Sequence, residues 1–247
     1  MNQEQSYRKR LDVIANIHLN PDPAQRVDAL CQLLDRDKLM PWVVGPKVLE
    51  MGCGDGVWTT ALVEKFGHSA VVDGSQKLLA ALKIRFGDKI TCYDSLFEEF
   101  TPPSMVLYDT VIATHILEHV DDPVKVLKQM HYWLKPGGRV IIVVPNAESY
   151  HRQIGVIMRY LDSVYDLSER DHLVGHQRVY DLTMLRNHVM EAGYKIILER
   201  GFMIKTVSNA QMAEYSDDLI KAFVDLSDHL PARWMNNLGM VIERPSC

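Results

Sequence analysis

Three acidic side chains hold positions from which they can do chemistry. Glu50 opens the stretch Glu50-Met51-Gly52-Cys53-Gly54-Asp55-Gly56, Asp73 closes the apolar run Ala70-Val71-Val72, and Asp94 closes the run from Ile90 to Tyr93. Each acid alone reads as a cap or turn residue. Three at the ends of successive apolar runs are a stronger signal, because open α/β sheets bind ligands at the carboxyl edge of their strands. The glycines permit a tight turn and a close approach of backbone to ligand. A dinucleotide loop, G-x-G-x-x-G, would need a third glycine at position 57, which is Val57. The spacing is acid-x-G-x-G-x-G. A pyrophosphate favours a helix N-terminus with no carboxylate beside it, whereas Glu50 repels phosphate and attracts a cation. These residues predict a positively charged nucleoside without phosphate. Asp73 is placed to accept both ribose hydroxyls. Asp94 is placed to accept from an adenine amino group, with the backbone near Ser95 reading the ring nitrogen.

S-adenosylmethionine, with its sulfonium and ammonium groups, is such a nucleoside. Methyl transfer from it is an in-line displacement in which the protein mainly orients the acceptor and excludes water. A phenol or ammonium acceptor also needs a base. The candidates are His115, His151 beside Tyr150, and His176, for which docking of a segment onto the core is the favoured role. His115, Glu118 and His119 share the H-x-x-E-H spacing of some zinc hydrolases. His115 falls in the turn that starts the helix, so a hydrolytic zinc site is disfavoured. A metal orienting the acceptor oxygen is the weaker alternative, and no metal requirement is expected. Tyr150, Lys205 and Gln211 are the candidates for contact with the acceptor. Asn209 is expected to cap a helix running through Met212, Leu219, Phe223 and Leu226.

Strand-like and helix-like stretches alternate from about residue 46. Val48-Leu49, Ala70 to Val72, Ile90 to Tyr93, Val111 to Ala113 and Val140 to Val144 are short, β-branched-rich runs suited to parallel strands buried on both faces. Asp121-Asp122-Pro123 opens a helix carrying Val126, Leu127, Met130, Trp133 and Leu134, which Pro136-Gly137-Gly138 is expected to stop. This repetition implies a doubly wound parallel sheet. Residues 1–45 form a helical cap before the domain of residues 46–247. Residues 147–178 form an insertion after strand 5 on the acceptor side.

The motifs Val48-Leu49-Glu50-Met51-Gly52-Cys53-Gly54-Asp55-Gly56, Asp73, Asp94, His115-Ile116-Leu117-Glu118-His119-Val120, Asp122-Pro123 and Leu134-Lys135-Pro136-Gly137-Gly138 resemble, in order and spacing, those of class I S-adenosylmethionine-dependent methyltransferases. The flavour is that of the methyltransferase type 11 group, which includes the polyprenyl-benzoquinol methylases. The resemblance covers residues 46–146 and continues more loosely through Gly175 to Tyr180 and Glu191 to Tyr194. It implies a Rossmann-like, seven-stranded, mostly parallel sheet with an antiparallel last strand, Ile196–Glu199 and Met240–Glu243 forming the final pair. It also implies that Glu50, Gly52, Cys53 and Gly54 meet the methionine portion, Asp73 the ribose, Asp94 and Ser95 the adenine, and that His115 lies along the cofactor. Gly74 takes the place of a side chain often found after the ribose acid.

With 247 residues, 47% hydrophobic and 24% charged, the chain suits one α/β domain with additions. A net charge of −5 argues against a nucleic-acid partner. The apolar runs are too short to span a bilayer. Four scattered cysteines without a C-x-x-C pair suit a reducing, cytoplasmic setting. The leading expectation is transfer of a methyl group to an O or N atom of a small molecule, a quinone or specialised metabolite, yielding S-adenosylhomocysteine. The alternatives are methylation of a peptide or protein at a carboxylate or amine, a non-catalytic S-adenosylmethionine-binding module, and a nicotinamide oxidoreductase, which Val57 and Glu50 disfavour.

Overall fold

A computed structural model describes residues 11, 13–103 and 106–246. Seven strands form one sheet: β1 Val48–Met51, β2 Ser69–Asp73, β3 Ile90–Asp94, β4 Tyr108–Thr114, β5 Leu134–Pro145, β6 Lys195–Phe202 and β7 Asn237–Glu243. Their order is β3-β2-β1-β4-β5-β7-β6. The first five run parallel, and β7 is antiparallel to both β5 and β6. The expected seven-stranded, mostly parallel sheet is thus found, with a final pair longer than its apolar centre implied. The chain leaves β1 toward β2 on one side and returns through β4 on the other. The crevice at this switch point is where an open α/β sheet binds its ligand.

Burial on both faces explains the continuous apolar runs. Leu49, Met51, Val111, Ala113, Val140 and Ile142 pack on one face with Val126 and Leu127 of α4. The alternate residues Val48, Ile112, Ile141 and Val143 pack on the other with Trp58 and Leu62 of α2. The helices are α1 Pro23–Leu39, α2 Val57–Phe66, α3 Gln76–Phe86, α4 Pro123–Trp133, α5 Tyr150–Ile157, α6 Glu169–Val174, α7 Leu182–Glu191, α8 Asn209–Met212 and α9 Asp217–Leu226. Asp122 caps α4 with Pro123 in its first turn, as its residue types predict.

Two local expectations are corrected. Pro136-Gly137-Gly138 does not separate α4 from the next strand, because β5 already begins at Leu134, which pairs with Tyr108. Asn209 does not cap one long helix. Ser208 caps the short α8 and Ser216 caps α9, each accepting from a backbone N–H three residues on. The break frees Asn209 to donate its side-chain amide to Asp28.

The N-terminal helix α1 is packed onto the C-terminal helices. Val27 and Cys31 share a buried cluster with Met203, Met212, Ile220 and Val224. Lys38 pairs with Asp228 at 2.6 Å. Segments nearly two hundred positions apart therefore meet beside the sheet edge. None of the described helices is long and apolar enough to cross a membrane.

Candidate functional site

The site begins at the switch point. β1 ends in the glycine loop, where Gly52, Gly54 and Gly56 have φ of 72°, 48° and 84°. These left-handed values require glycine at little cost. A Cβ on Gly52 would stand 2.5 Å from Ile116 Cδ1, so this residue also sits where backbone and neighbour nearly touch.

Asp73, buried at the end of β2, holds this loop. Its Oδ2 accepts from the backbone N–H of Cys53 at 2.9 Å, and its Oδ1 from that of Ser75 at 2.7 Å. Burial nevertheless raises its pKa, the two backbone hydrogen bonds opposing the rise. A carboxylate oxygen can accept more than one hydrogen bond, so both oxygens keep capacity for the hydroxyls of a ribose. Cys53 donates its thiol to Asp73 at 3.3 Å, and burial with the nearby acids raises that thiol well above its ordinary range. Ser95 donates its backbone N–H to the Asp73 carbonyl at 3.2 Å. Asp94 is exposed and accepts from Gln76 at 2.5 Å. Gly74 is closely approached: a Cβ there would meet Leu11 at 2.7 Å and Leu96 at 3.0 Å.

Glu50 lies enclosed at the end of β1. It is 2% exposed and accepts the Thr59 hydroxyl of α2 at 2.5 Å. Burial lifts its carboxyl to about 8, with the Thr59 bond opposing and the charge of Asp73 reinforcing the shift. In the cofactor-free protein this group is a largely protonated acid beneath the loop.

His115 follows β4 on the other side of the switch point. Its φ is 57°, uncommon for a residue with a side chain. Its N–H donates to the Val143 carbonyl of β5 at 2.8 Å. Nδ1 lies 3.2 Å from Oε1 of Glu118, which is fully buried. Burial opposes protonation of His115, yet the Glu118 hydrogen bond and the charges of Glu118, Asp35 and Asp28 outweigh it, and its pKa is raised. Glu118 is lowered correspondingly: burial acts against ionisation and the His115 contact overcomes it. Oε2 of Glu118 has no hydrogen-bond partner among the described residues.

The weaker metal alternative drawn from the H-x-x-E-H spacing changes its members. His115 turns to Glu118, and it is Glu118, His119 and His176 whose ligand atoms lie within 4.8 Å of one another. The rings of His119 and His176 meet edge to face at 4.8 Å. Burial drops His119 to about 4, leaving it neutral. His176 is fixed by its Nδ1 contact with Asp171 at 2.8 Å. Asp171 also pairs with Arg152 at 3.2 Å, and the two are the charged centre of the insertion. His151 contacts the Ser149 hydroxyl through Nδ1 at 3.1 Å, and burial drops its pKa to about 3. Tyr150 stacks on Trp234 with centroids 6.1 Å apart. Gln211 is exposed, its carbonyl oxygen accepting from Ser208 in the cap of α8.

Several groups at the site were not singled out from the sequence. Asp28 acts electrostatically on His18, His115 and Lys205 alike. Asp35 is buried, with one oxygen accepting from Asn237 at 3.1 Å and the other unpartnered among the described residues, and burial raises it to about 7. His18 stands 3.5 Å from the position of a Cβ on Gly54. All three come from the N-terminal cap, where nothing local separates them from solvated helix residues. An acid buried mid-helix, as Asp35 is, was the available signal.

Comparison with known proteins agrees with this geometry. The family profile for the methyltransferase domain matches residues 8–199. The chain belongs to that family. It is a class I methyltransferase, an enzyme class whose cofactor is S-adenosylmethionine. Among curated relatives, a ubiquinone biosynthesis O-methyltransferase of Vibrio vulnificus (strain YJ016) is 30% identical over 105 residues, 41% of this chain and 45% of that protein. Its counterpart in Aeromonas salmonicida (strain A449) is 27% identical over 133 residues, 52% and 56% of the two chains. The methyltransferase thus spans about half the length of the curated relatives it matches. An S-adenosylmethionine dependent methyltransferase from Mesorhizobium loti shares its fold with a TM-score of 0.60 at 17% identity, covering 85% of this chain and 98% of that one. The N-methyltransferase NodS from Bradyrhizobium japonicum WM9, in complex with S-adenosylhomocysteine, does so at 0.58 and 15%, covering 97% and 98%. The glycine cradle, the Asp73 carboxylate and the buried Glu50 fit such a nucleoside.

Proposed function

We propose that this methyltransferase transfers the S-adenosylmethionine methyl group to an oxygen or nitrogen of a small molecule, with His115 as the base. The observation that carries the reading is the His115–Glu118 pair. A buried carboxylate fixes Nδ1, as in other base–orienter pairs, so Nε2 is the nitrogen left for the acceptor proton. The left-handed backbone at His115 costs energy that a merely packed residue would not need. Asp73 holds the ribose and the loop Gly52-Cys53-Gly54 lies along the methionine portion, with Glu50 responding to its charge. Asp94 and Ser95 border the adenine, while Gly74 makes room for Leu11 and Leu96. His151 and Tyr150 face the acceptor side, and His176 holds the insertion in place.

In the reaction the acceptor gives its proton to His115 as its lone pair attacks the methyl carbon, and the sulfonium leaves as a neutral thioether. The chain contributes orientation and water exclusion, and a positioned base is worth roughly 10²–10⁴ in rate. The relatives that are O-methyltransferases of ubiquinone biosynthesis favour an oxygen acceptor, a quinol or similar phenol. The test is S-adenosylhomocysteine formation with a metabolite extract, beside calorimetry with S-adenosylmethionine and NADH. Tight S-adenosylmethionine binding with turnover upholds the reading. Binding without any turnover leaves a cofactor-binding module instead, and uptake of NADH alone removes the assignment.

A further inference from the structure

The turn after β4 and the end of the insertion meet in a cluster that methyl transfer does not use. Glu118, His119 and His176 each bring a ligand atom to within 4.8 Å of the other two. The first two follow β4, and His176 follows α6, far later in the chain. Hydrogen bonds fix the two segments against each other. The Gln177 N–H donates to the Glu118 carbonyl at 2.8 Å, and the Gln177 side-chain amide to the His119 carbonyl at 2.6 Å. The Arg178 guanidinium donates to the Leu117 carbonyl at 2.9 Å. The backbones that carry the three side chains are therefore set in place before any ligand arrives.

Each side chain presents a lone pair to the others. Oε1 of Glu118 faces His115, and the buried Oε2 has no hydrogen-bond partner among the described residues, so neither imidazole donates to it. Nδ1 of His176 lies 2.8 Å from Asp171 Oδ1, which leaves Nε2 as a bare acceptor. A histidine tied through one nitrogen to a carboxylate is oriented as metal-binding histidines are. A neutral His119 carries a bare nitrogen of its own. Acceptors gathered in so small a space are completed by a cation. Glu118 is buried while His119 and His176 are half-buried, so an ion has a way in past the imidazoles. Two imidazoles and one carboxylate suit zinc better than magnesium or calcium. Zinc bonds of about 2.0–2.2 Å put tetrahedral ligand atoms about 3.4 Å apart, so small side-chain rotations close the set.

We propose that Glu118, His119 and His176 hold a divalent transition-metal ion, zinc being the one this ligand set favours, and that the ion clasps the insertion to the turn after β4. It takes the oxygen of Glu118 that His115 leaves, so the base keeps its partner. The ion is a fastening and takes no part in methyl transfer, so the site is independent of which acceptor the enzyme uses.

The test is calorimetry of zinc sulfate into full-length protein stripped with chelator, with hydrogen exchange of residues 169–178 followed in both states. A single equivalent is expected to bind with a Kd of about 1 μM or tighter. His119→Ala and His176→Ala should each weaken binding by about 100-fold or more, whereas His115→Asn should cost about ten-fold or less. Cobalt in place of zinc should give the visible bands of a four-coordinate site, lost in the two alanine variants. Exchange over 169–178 should slow by about five-fold or more on zinc binding in wild type and not in His176→Ala. Absence of stoichiometric zinc overturns the proposal, as does zinc affinity untouched by both alanine variants. Binding lost in His115→Asn and kept in His176→Ala also overturns it, assigning the ion to the H-x-x-E-H set. Stoichiometric binding that leaves exchange over 169–178 unchanged removes the clasp. Wild-type stoichiometry and exchange need no variant, so they judge the proposal even where a substitution impairs folding.

Discussion

The two walls of the cleft are built differently. The cofactor wall comes from the ends of β1, β2 and β3, a span of fewer than fifty consecutive positions, and its polar groups satisfy one another. Asp73 accepts from two backbone N–H groups and Glu50 from Thr59. The proposed acceptor wall draws on α1, the turn after β4 and the insertion, and among the described residues it leaves one oxygen of Asp35 and one of Glu118 without a hydrogen-bond partner. The difference teaches where specificity resides. A wall that is complete in itself suits a ligand common to many enzymes. A wall with polar atoms left unpartnered suits recognition of a particular acceptor.

The sharpest way to break this contrast is at His115, where the walls meet. His115→Asn keeps a residue tolerant of the left-handed backbone. Turnover should fall by roughly 10²–10⁴ while S-adenosylhomocysteine affinity moves little, measured by rate assay and calorimetry. Full activity would remove the base from the mechanism. On the cofactor wall alone, Asp73→Ala should weaken S-adenosylmethionine binding by about one to two orders of magnitude. Unchanged calorimetric affinity would refute the ribose assignment.

A subtler effect comes from Glu50. Its carboxyl, raised to about 8, is protonated below that value in the free protein and must ionise to balance a bound cation. Binding therefore releases a proton. S-adenosylmethionine affinity should climb by about ten-fold as pH rises from about 6 toward about 8, then level off, with Glu50→Gln removing the slope. Folding carries the opposite sign. A carboxyl raised in the folded state favours that state below the ordinary carboxylate range, and the contribution is lost as pH rises through about 8. Melting of cofactor-free wild type against Glu50→Gln across that window checks it. Smallest of all, Gln211→Ala should change acceptor KM by less than about two-fold, because the side chain is exposed and serves a cap. A larger shift would extend the acceptor wall to α8.

Most of the scaffold was legible because its signals are local. A buried parallel strand must be apolar throughout, so β1, β2, β4 and β5 announce themselves, and Asp122-Pro123 marks a helix start. The errors fell where local rules compete. Pro136-Gly137-Gly138 reads as a turn, yet pairing with β4 draws the strand back to Leu134. Asn209 reads as a cap, yet Ser208 takes that place and Asn209 turns to Asp28. At the H-x-x-E-H spacing the expected turn is found at His115, whereas the neighbour His176, held by Asp171, is brought in by the long-range fold.

The sequence by itself determined the carboxyl ends of the first strands, and with them the glycine loop and Asp73, because backbone conformation and strand-end position depend on near neighbours. Only the tertiary structure decided the burial of Glu50 against Thr59, the pairing of His115 with Glu118, and the meeting of α1 with the C-terminal helices. Those depend on desolvation and on charges brought together across long chain separations, quantities that no spacing along the chain encodes.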